Sequence, residues 1–104
     1  MSDGLLVCSL KDLEPNVPKR IETPQVDIVL VQVDGTIHAL EDLCSHAEFP
    51  LSDGMVRDCT IECDLHGSRF DLRNGEPLGP PATAPVPVYP VTVEGDYVYV
   101  QLEN

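Results

Sequence analysis

The sequence has no tryptophan, two phenylalanines, three tyrosines and only six Lys and Arg among 104 residues. It has no apolar run near the ~20 residues that a membrane-spanning helix needs, and no helical period sustained over three turns. Each shortage excludes something. With so few aromatics, the core must be assembled mostly from Val, Leu and Ile. Six basic residues against 18 acidic ones leave a formal net charge of −12. A phosphate backbone and an anionic membrane surface both repel such a protein, so neither nucleic acid nor membrane is expected as a partner. Met1-Ser2-Asp3-Gly4 lacks the positive region and apolar run of a secretory signal. The four cysteines are therefore expected in a reducing cytoplasm, where clustered Cys and His serve metals more often than disulfides. High net charge is also a mark of disorder, but 42% hydrophobic residues in alternating runs argue for a folded acidic domain with basic partners.

The length fits a single domain, residues 1–104, and glycine and proline punctuate nearly all of it. Short strands are expected at 5–8, 19–22, 26–33, 36–40, 55–57, 60–62, 69–72, 89–93 and 97–102. Residues 9–18 offer at most one helical turn. Val26–Val33 is nearly continuously apolar, the pattern of a strand buried on both faces. Asp34-Gly35 then supplies a two-residue hairpin turn. A second Asp-Gly pair, Asp53-Gly54, precedes Met55-Val56-Arg57, and Arg73-Asn74-Gly75-Glu76 is another hairpin signal. Residues 77–90 hold six of the ten prolines, which restricts that stretch to an ordered loop or a sheet edge. Many short strands separated by turn signals predict an all-β sandwich or barrel.

One constellation carries chemistry. Cys44-Ser45-His46 is followed, after 16 intervening residues, by Cys63-Asp64-Leu65-His66-Gly67. Both pairs fall between expected strands, and each offers one soft thiolate and one neutral imidazole. A structural zinc site would use the same side chains. Zinc, however, usually takes paired ligands about two to four residues apart, and the one residue between Cys44 and His46 is tight for a shared metal.

The order C-x-H … C-x-x-H, followed at once by Gly67-Ser68 and then Phe70-Asp71, resembles the Rieske [2Fe–2S] family. Leu78-Gly79-Pro80-Pro81 is similar to the proline loop that covers the cluster there, and the flanking strands also match that fold, so the likeness spans essentially the whole chain. The resemblance implies the all-β Rieske fold, antiparallel sheets with a cluster-binding subdomain from about Glu41 to Ala82. It implies one [2Fe–2S] cluster, with Cys44 and Cys63 on one iron and His46 and His66 on the other. Two imidazoles in place of two thiolates remove negative charge from one iron, which eases its reduction. In the oxidised cluster two ferric ions, two sulfides and two thiolates sum to zero charge.

Within the family, this sequence resembles the soluble ferredoxins of bacterial oxygenase systems. The respiratory proteins carry two further cysteines as a disulfide between the ligand loops; Phe49 and Leu65 stand at the matching positions. Those proteins also place Ser and Tyr hydroxyls two and four residues after the second ligand histidine. Here Ser68 fills the first position and Phe70 the second, which implies a potential in the low part of the Rieske range of roughly −150 to +300 mV. Ser68, Phe70, Pro80 and Pro81 are thus the candidate tuning residues.

The implied function is one-electron transfer rather than catalysis, from a reductase to a terminal oxygenase, typically an aromatic-ring-hydroxylating one, with His46 and His66 as the exit point. A carrier serving another acceptor, such as iron–sulfur assembly, and a non-carrier Rieske-like subunit of a reductase are the competing functions. Cys8 and Cys59 have no slot in the motif and read as small apolar core residues. His38 reads as a surface or hairpin histidine, and the tyrosines as cross-strand packing. Residues 41–64 hold seven acids and one base, Arg57, half of the net charge. The acids either form a solvated face or steer the protein toward basic docking surfaces on its partners.

Overall fold

The structure, a computed structural model, describes residues 4–43, 50–63, 68–78 and 84–102. Ten strands run through them: β1 (Leu5–Ser9), β2 (Lys19–Glu22), β3 (Asp27–Val33), β4 (Thr36–Glu41), β5 (Met55–Arg57), β6 (Thr60–Glu62), β7 (Arg69–Asp71), β8 (Val88–Tyr89), β9 (Val91–Glu94) and β10 (Tyr97–Val100). They form three antiparallel sheets. The terminal sheet has the order β1-β10-β9, the central sheet β2-β3-β4-β8 and the third sheet β5-β6-β7. The only helical pieces among the described residues are one-turn 3-10 segments at Leu10–Asp12 and Leu51–Asp53, as the all-β reading expects.

β3 is the spine, for the reason its composition suggests. Ile28, Val29, Leu30 and Val31 are fully buried although they alternate between faces. Ile28 and Leu30 join Leu13, Ala39, Val98 and Val100 in a core under the terminal sheet. Val29 and Val31 join Leu40, Leu51, Ile61, Cys63, Phe70, Leu72 and Val86 in a second core under the third sheet. The central sheet is therefore covered on both faces. Its Asp34-Gly35 turn has φ of 52° and 83°, the left-handed pair a two-residue hairpin needs, between the partners Val33 and Thr36.

Two expectations need correction. Residues 89–93 are two strands rather than one. β8 pairs with the edge of the central sheet through Ala39 and Leu40, and β9 pairs with β10 in the terminal sheet. Pro90 separates them, because it has no N–H to continue a ladder. The proline-rich stretch thus reaches a sheet edge, as expected, and then changes sheets. Secondly, Asp53-Gly54 is not a left-handed turn, since Gly54 has φ of −91°. Glycine is needed there because a Cβ would land on the Glu62 carbonyl oxygen across the β5–β6 pair. The turn that joins those two strands is Asp58-Cys59, with φ of 53° and 60°, and neither residue announces it.

Candidate metal centre

Residues 63–68 connect β6 to β7. Glu62 pairs with Arg69, and one step further the Cys63 N–H donates to the Ser68 carbonyl at 2.6 Å. The connection is thus closed at its base, with residues 64–67 spanning it. Cys63 is 1% exposed and packs in the core beneath the third sheet. Ser68 is equally buried, and among the described residues its Oγ is the one buried side-chain oxygen or nitrogen with no hydrogen-bond partner. A buried hydroxyl left unpaired costs about 1–3 kcal/mol, so such a group calls for an acceptor that the described residues do not supply.

Two residues on, Phe70 is fully buried, opposite Ile61 and bridged to Pro77. It offers packing where the respiratory pattern has a hydroxyl. Gly75 has φ of 77° and leaves room for the Val86 carbonyl, on which a Cβ would land. Arg73 donates to the Asp71 carboxylate through Nε and Nη2 at 3.0 and 3.2 Å, and through its backbone N–H at 2.8 Å. These bonds hold the Asp71 carboxyl below the usual carboxylate range and fix the turn that follows β7.

The other half of the centre begins at the end of β4. The Asp42 N–H donates to the Asp27 carbonyl at 2.9 Å, and its carboxylate accepts bonds from Arg20 and from Ser52. Leu51, just before Ser52, is fully buried in the same core as Cys63. The two candidate ligand segments therefore leave from and return to one core, under one sheet. Of the four candidate ligands, Cys63 lies within the described residues; Cys44, His46 and His66 lie outside them, as do Pro80 and Pro81.

The remaining cysteines and histidine lie elsewhere. Cys8 is half-buried against the terminal-sheet core, where burial, aided by Asp12, pushes its thiol up. Cys59 is half-buried against the other core, with Sγ 3.8 Å from His38 Nε2. His38, read above as a surface or hairpin histidine, lies in β4 of the β3–β4 hairpin, opposite Val31 and half-buried, and burial lowers its pKa. Among the described residues no three His, Cys, Asp or Glu side chains gather as a metal-binding group. Local reading missed Asp42, Ser52 and Arg20. Asp42 entered only as one of seven acids, and nothing in the sequence pairs it with an arginine 22 residues away.

A buried thiol at the mouth of a closed hairpin, with an unpaired buried hydroxyl five residues on, suits a centre with sulfur acceptors, and the thiolate–imidazole donor set is that of mixed-ligand iron–sulfur chemistry. Residues 4–90 match the family model of the Rieske [2Fe–2S] domain. The ferredoxin component of biphenyl 2,3-dioxygenase from Rhodococcus jostii (strain RHA1) is 39% identical over 98 residues, covering 94% of this chain and 92% of that protein. The ferredoxin of carbazole 1,9a-dioxygenase from Nocardioides aromaticivorans IC177 superposes with a TM-score of 0.91 at 36% identity, over 95% of this chain and 97% of that one. A chain from the complex of reduced oxygenase and oxidised ferredoxin in carbazole 1,9a-dioxygenase superposes with a TM-score of 0.88 at 33% identity, over 93% of this chain and all of that one.

Proposed function

The chain belongs to the Rieske [2Fe–2S] domain family, and from that premise we propose that it is the ferredoxin of a multicomponent oxygenase, taking single electrons from a reductase and passing them to a terminal, aromatic-ring-hydroxylating oxygenase in the cytoplasm. Its cofactor is one Rieske-type [2Fe–2S] cluster. Residues 41–82 form the cluster-binding part of the single domain, with Cys44 and Cys63 as ligands to one iron and His46 and His66 to the other. Bound there, the cluster supplies a one-electron site centred on the imidazole-ligated iron. Pro80 and Pro81 are further candidates for tuning it. The observation that carries this reading is the hairpin end at Cys63 and Ser68, a buried thiol and a hydroxyl that lacks a partner among the described residues.

Ser68 Oγ is the hydrogen-bond donor to a cluster or ligand sulfur. Such a bond disperses negative charge on sulfur and favours the reduced state. Ser68→Ala is expected to lower the midpoint potential by roughly 20–60 mV, the equivalent of a net bond of about 0.5–1.5 kcal/mol. Protein-film voltammetry measures this, and an unchanged potential means that Ser68 is an ordinary turn hydroxyl.

Partner docking is electrostatic in this reading, and the described acids of residues 41–64 differ in exposure. Asp53 and Asp58 are exposed, Glu41 and Glu62 are half-buried, and Asp42 is spent internally on Arg20. Asp58 belongs to the β5–β6 turn, at the opposite end of β6 from Cys63. The test is reconstitution with a ferredoxin reductase and a terminal aromatic-ring dioxygenase. Substrate hydroxylation is expected to require this chain, at a rate that falls as salt rises through the range where the screening length drops from about 30 to 8 Å. Reduction by the reductase without transfer to any oxygenase overturns the oxygenase assignment, and a rate indifferent to salt overturns the charged docking.

A further inference from the structure

We infer that Asp42 is a positioning residue of the metal centre: its buried carboxylate ties together the two ends of the segment that carries Cys44 and His46. The inference rests on the proposed role of those two residues as ligands. The Asp42 side chain has no exposed surface. Its Oδ1 accepts the Ser52 backbone N–H at 2.6 Å, and its Oδ2 accepts the Ser52 hydroxyl at 2.6 Å and the Arg20 Nη1 at 2.9 Å. Arg20 also donates to the Asp27 carboxylate at 2.6 Å, with Glu22 at 3.7 Å. Asp27 in turn receives the Asp42 N–H on its carbonyl.

The arrangement is a costly way to gain stability alone. A buried ion loses its hydration, and an apolar side chain of similar size often does as well or better. A carboxylate does something an apolar group does not: it sets direction through several charge-assisted bonds at once. Here the bonds converge from two places. Arg20 belongs to β2 of the central sheet, whereas Ser52 lies where the chain returns after residues 43–51. The segment is closed across its base by the Asp42–Ser52 pair and registered on the sheet through Arg20. Cys44 and His46 follow two and four residues beyond Asp42 in the sequence. The second ligand segment has its own closure, the Cys63–Ser68 backbone bond. A cluster held by one ligand pair from each segment needs both bases fixed.

The test uses the holoprotein and the variants Asp42→Asn, Ser52→Ala and Cys44→Ser. Asp42→Asn keeps the shape but turns one acceptor into a donor facing donors, and Ser52→Ala removes one bond of the set without touching the buried charge. The readouts are the rate of iron loss to a chelator, the electron paramagnetic resonance spectrum of the reduced protein, and amide exchange in β3 and β4. Iron loss is expected to accelerate about tenfold or more in Asp42→Asn and by less in Ser52→Ala, with altered g-values and with β3 and β4 as protected as in the parent. If Asp42→Asn does not fold, Ser52→Ala decides alone. Parental loss rates and spectra in the folded variants overturn the inference. So does iron loss that merely tracks the loss of amide protection. Cys44→Ser separates the two readings: a cluster retained there overturns the ligand assignment, whereas parental behaviour of Asp42→Asn and Ser52→Ala beside a cluster-free Cys44→Ser overturns only the positioning role.

Discussion

Replacing Cys63 with serine is expected to leave a colourless protein, with iron per chain close to zero and no electron paramagnetic resonance signal on reduction. Cys63 sits 1% exposed where β6 ends, packed in the core beneath the third sheet. A serine hydroxyl is a hard, protonated oxygen at neutral pH, whereas the centre needs a soft, charged thiolate. Losing one of two thiolates also leaves the oxidised cluster with an uncompensated positive charge in a buried site, which adds to the penalty. The matched controls are Cys8→Ser and Cys59→Ser. Both thiols are half-buried and pack on the edges of the two cores, and both variants are expected to keep a full complement of iron. Iron and sulfide analysis beside far-ultraviolet circular dichroism separates loss of the centre from loss of the fold. A full iron content in Cys63→Ser contradicts the ligand assignment.

The proposed contrast among three cysteines comes from ligand spacing, which is a local property. Cys44, His46, Cys63 and His66 are candidates through residues one to three positions away, and Ser68 follows from His66 in the same manner. β3 was legible for a related reason: a strand buried on both faces has no polar alternation, and Ile28 to Val31 show none. Where the reading failed, the deciding contact was distant or the backbone broke a local rule. Asp42 looks like any surface acid until Arg20 and Ser52 fold onto it. Gly54 looks like a turn glycine, but its requirement comes from Glu62 across the sheet. Asp58-Cys59 makes the left-handed turn without glycine. Aspartate tolerates that region moderately well, cysteine less so, and the short β5–β6 connection imposes it on both. Pro90 alone was a missed local signal: a proline in the middle of an alternating run should have ended the strand.

The scarcity of aromatics leads to the second large effect. Among the described residues Phe70 is the one fully buried aromatic; Tyr89 and Tyr99 are half-buried and Tyr97 is 53% exposed. It lies in β7 and shares a core with Val29, Val31 and Leu40 of the central sheet, so its ring ties the third sheet to the spine of the molecule. Truncation to alanine is expected to cost about 3–5 kcal/mol, transfer loss plus an uncollapsed cavity, against a total of roughly 5–15 kcal/mol for a protein domain. The thermal midpoint of the holoprotein should fall by at least about 12 °C. The neighbours cannot close the gap easily, because Ile61 is held opposite Phe70 in the ladder and Pro77 is bridged to it on the other side. Phe70→Leu, which fills most of the volume, should lose much less. The same substitution should reach the metal centre, since β6 and β7 present Cys63 and Ser68 from their ends. Faster iron loss in Phe70→Ala at temperatures well below its midpoint would show the ring holding that hairpin in place. A midpoint within about 4 °C of the parent would mean a loss near 1 kcal/mol or less, and would place the weight of the core on the aliphatic residues alone.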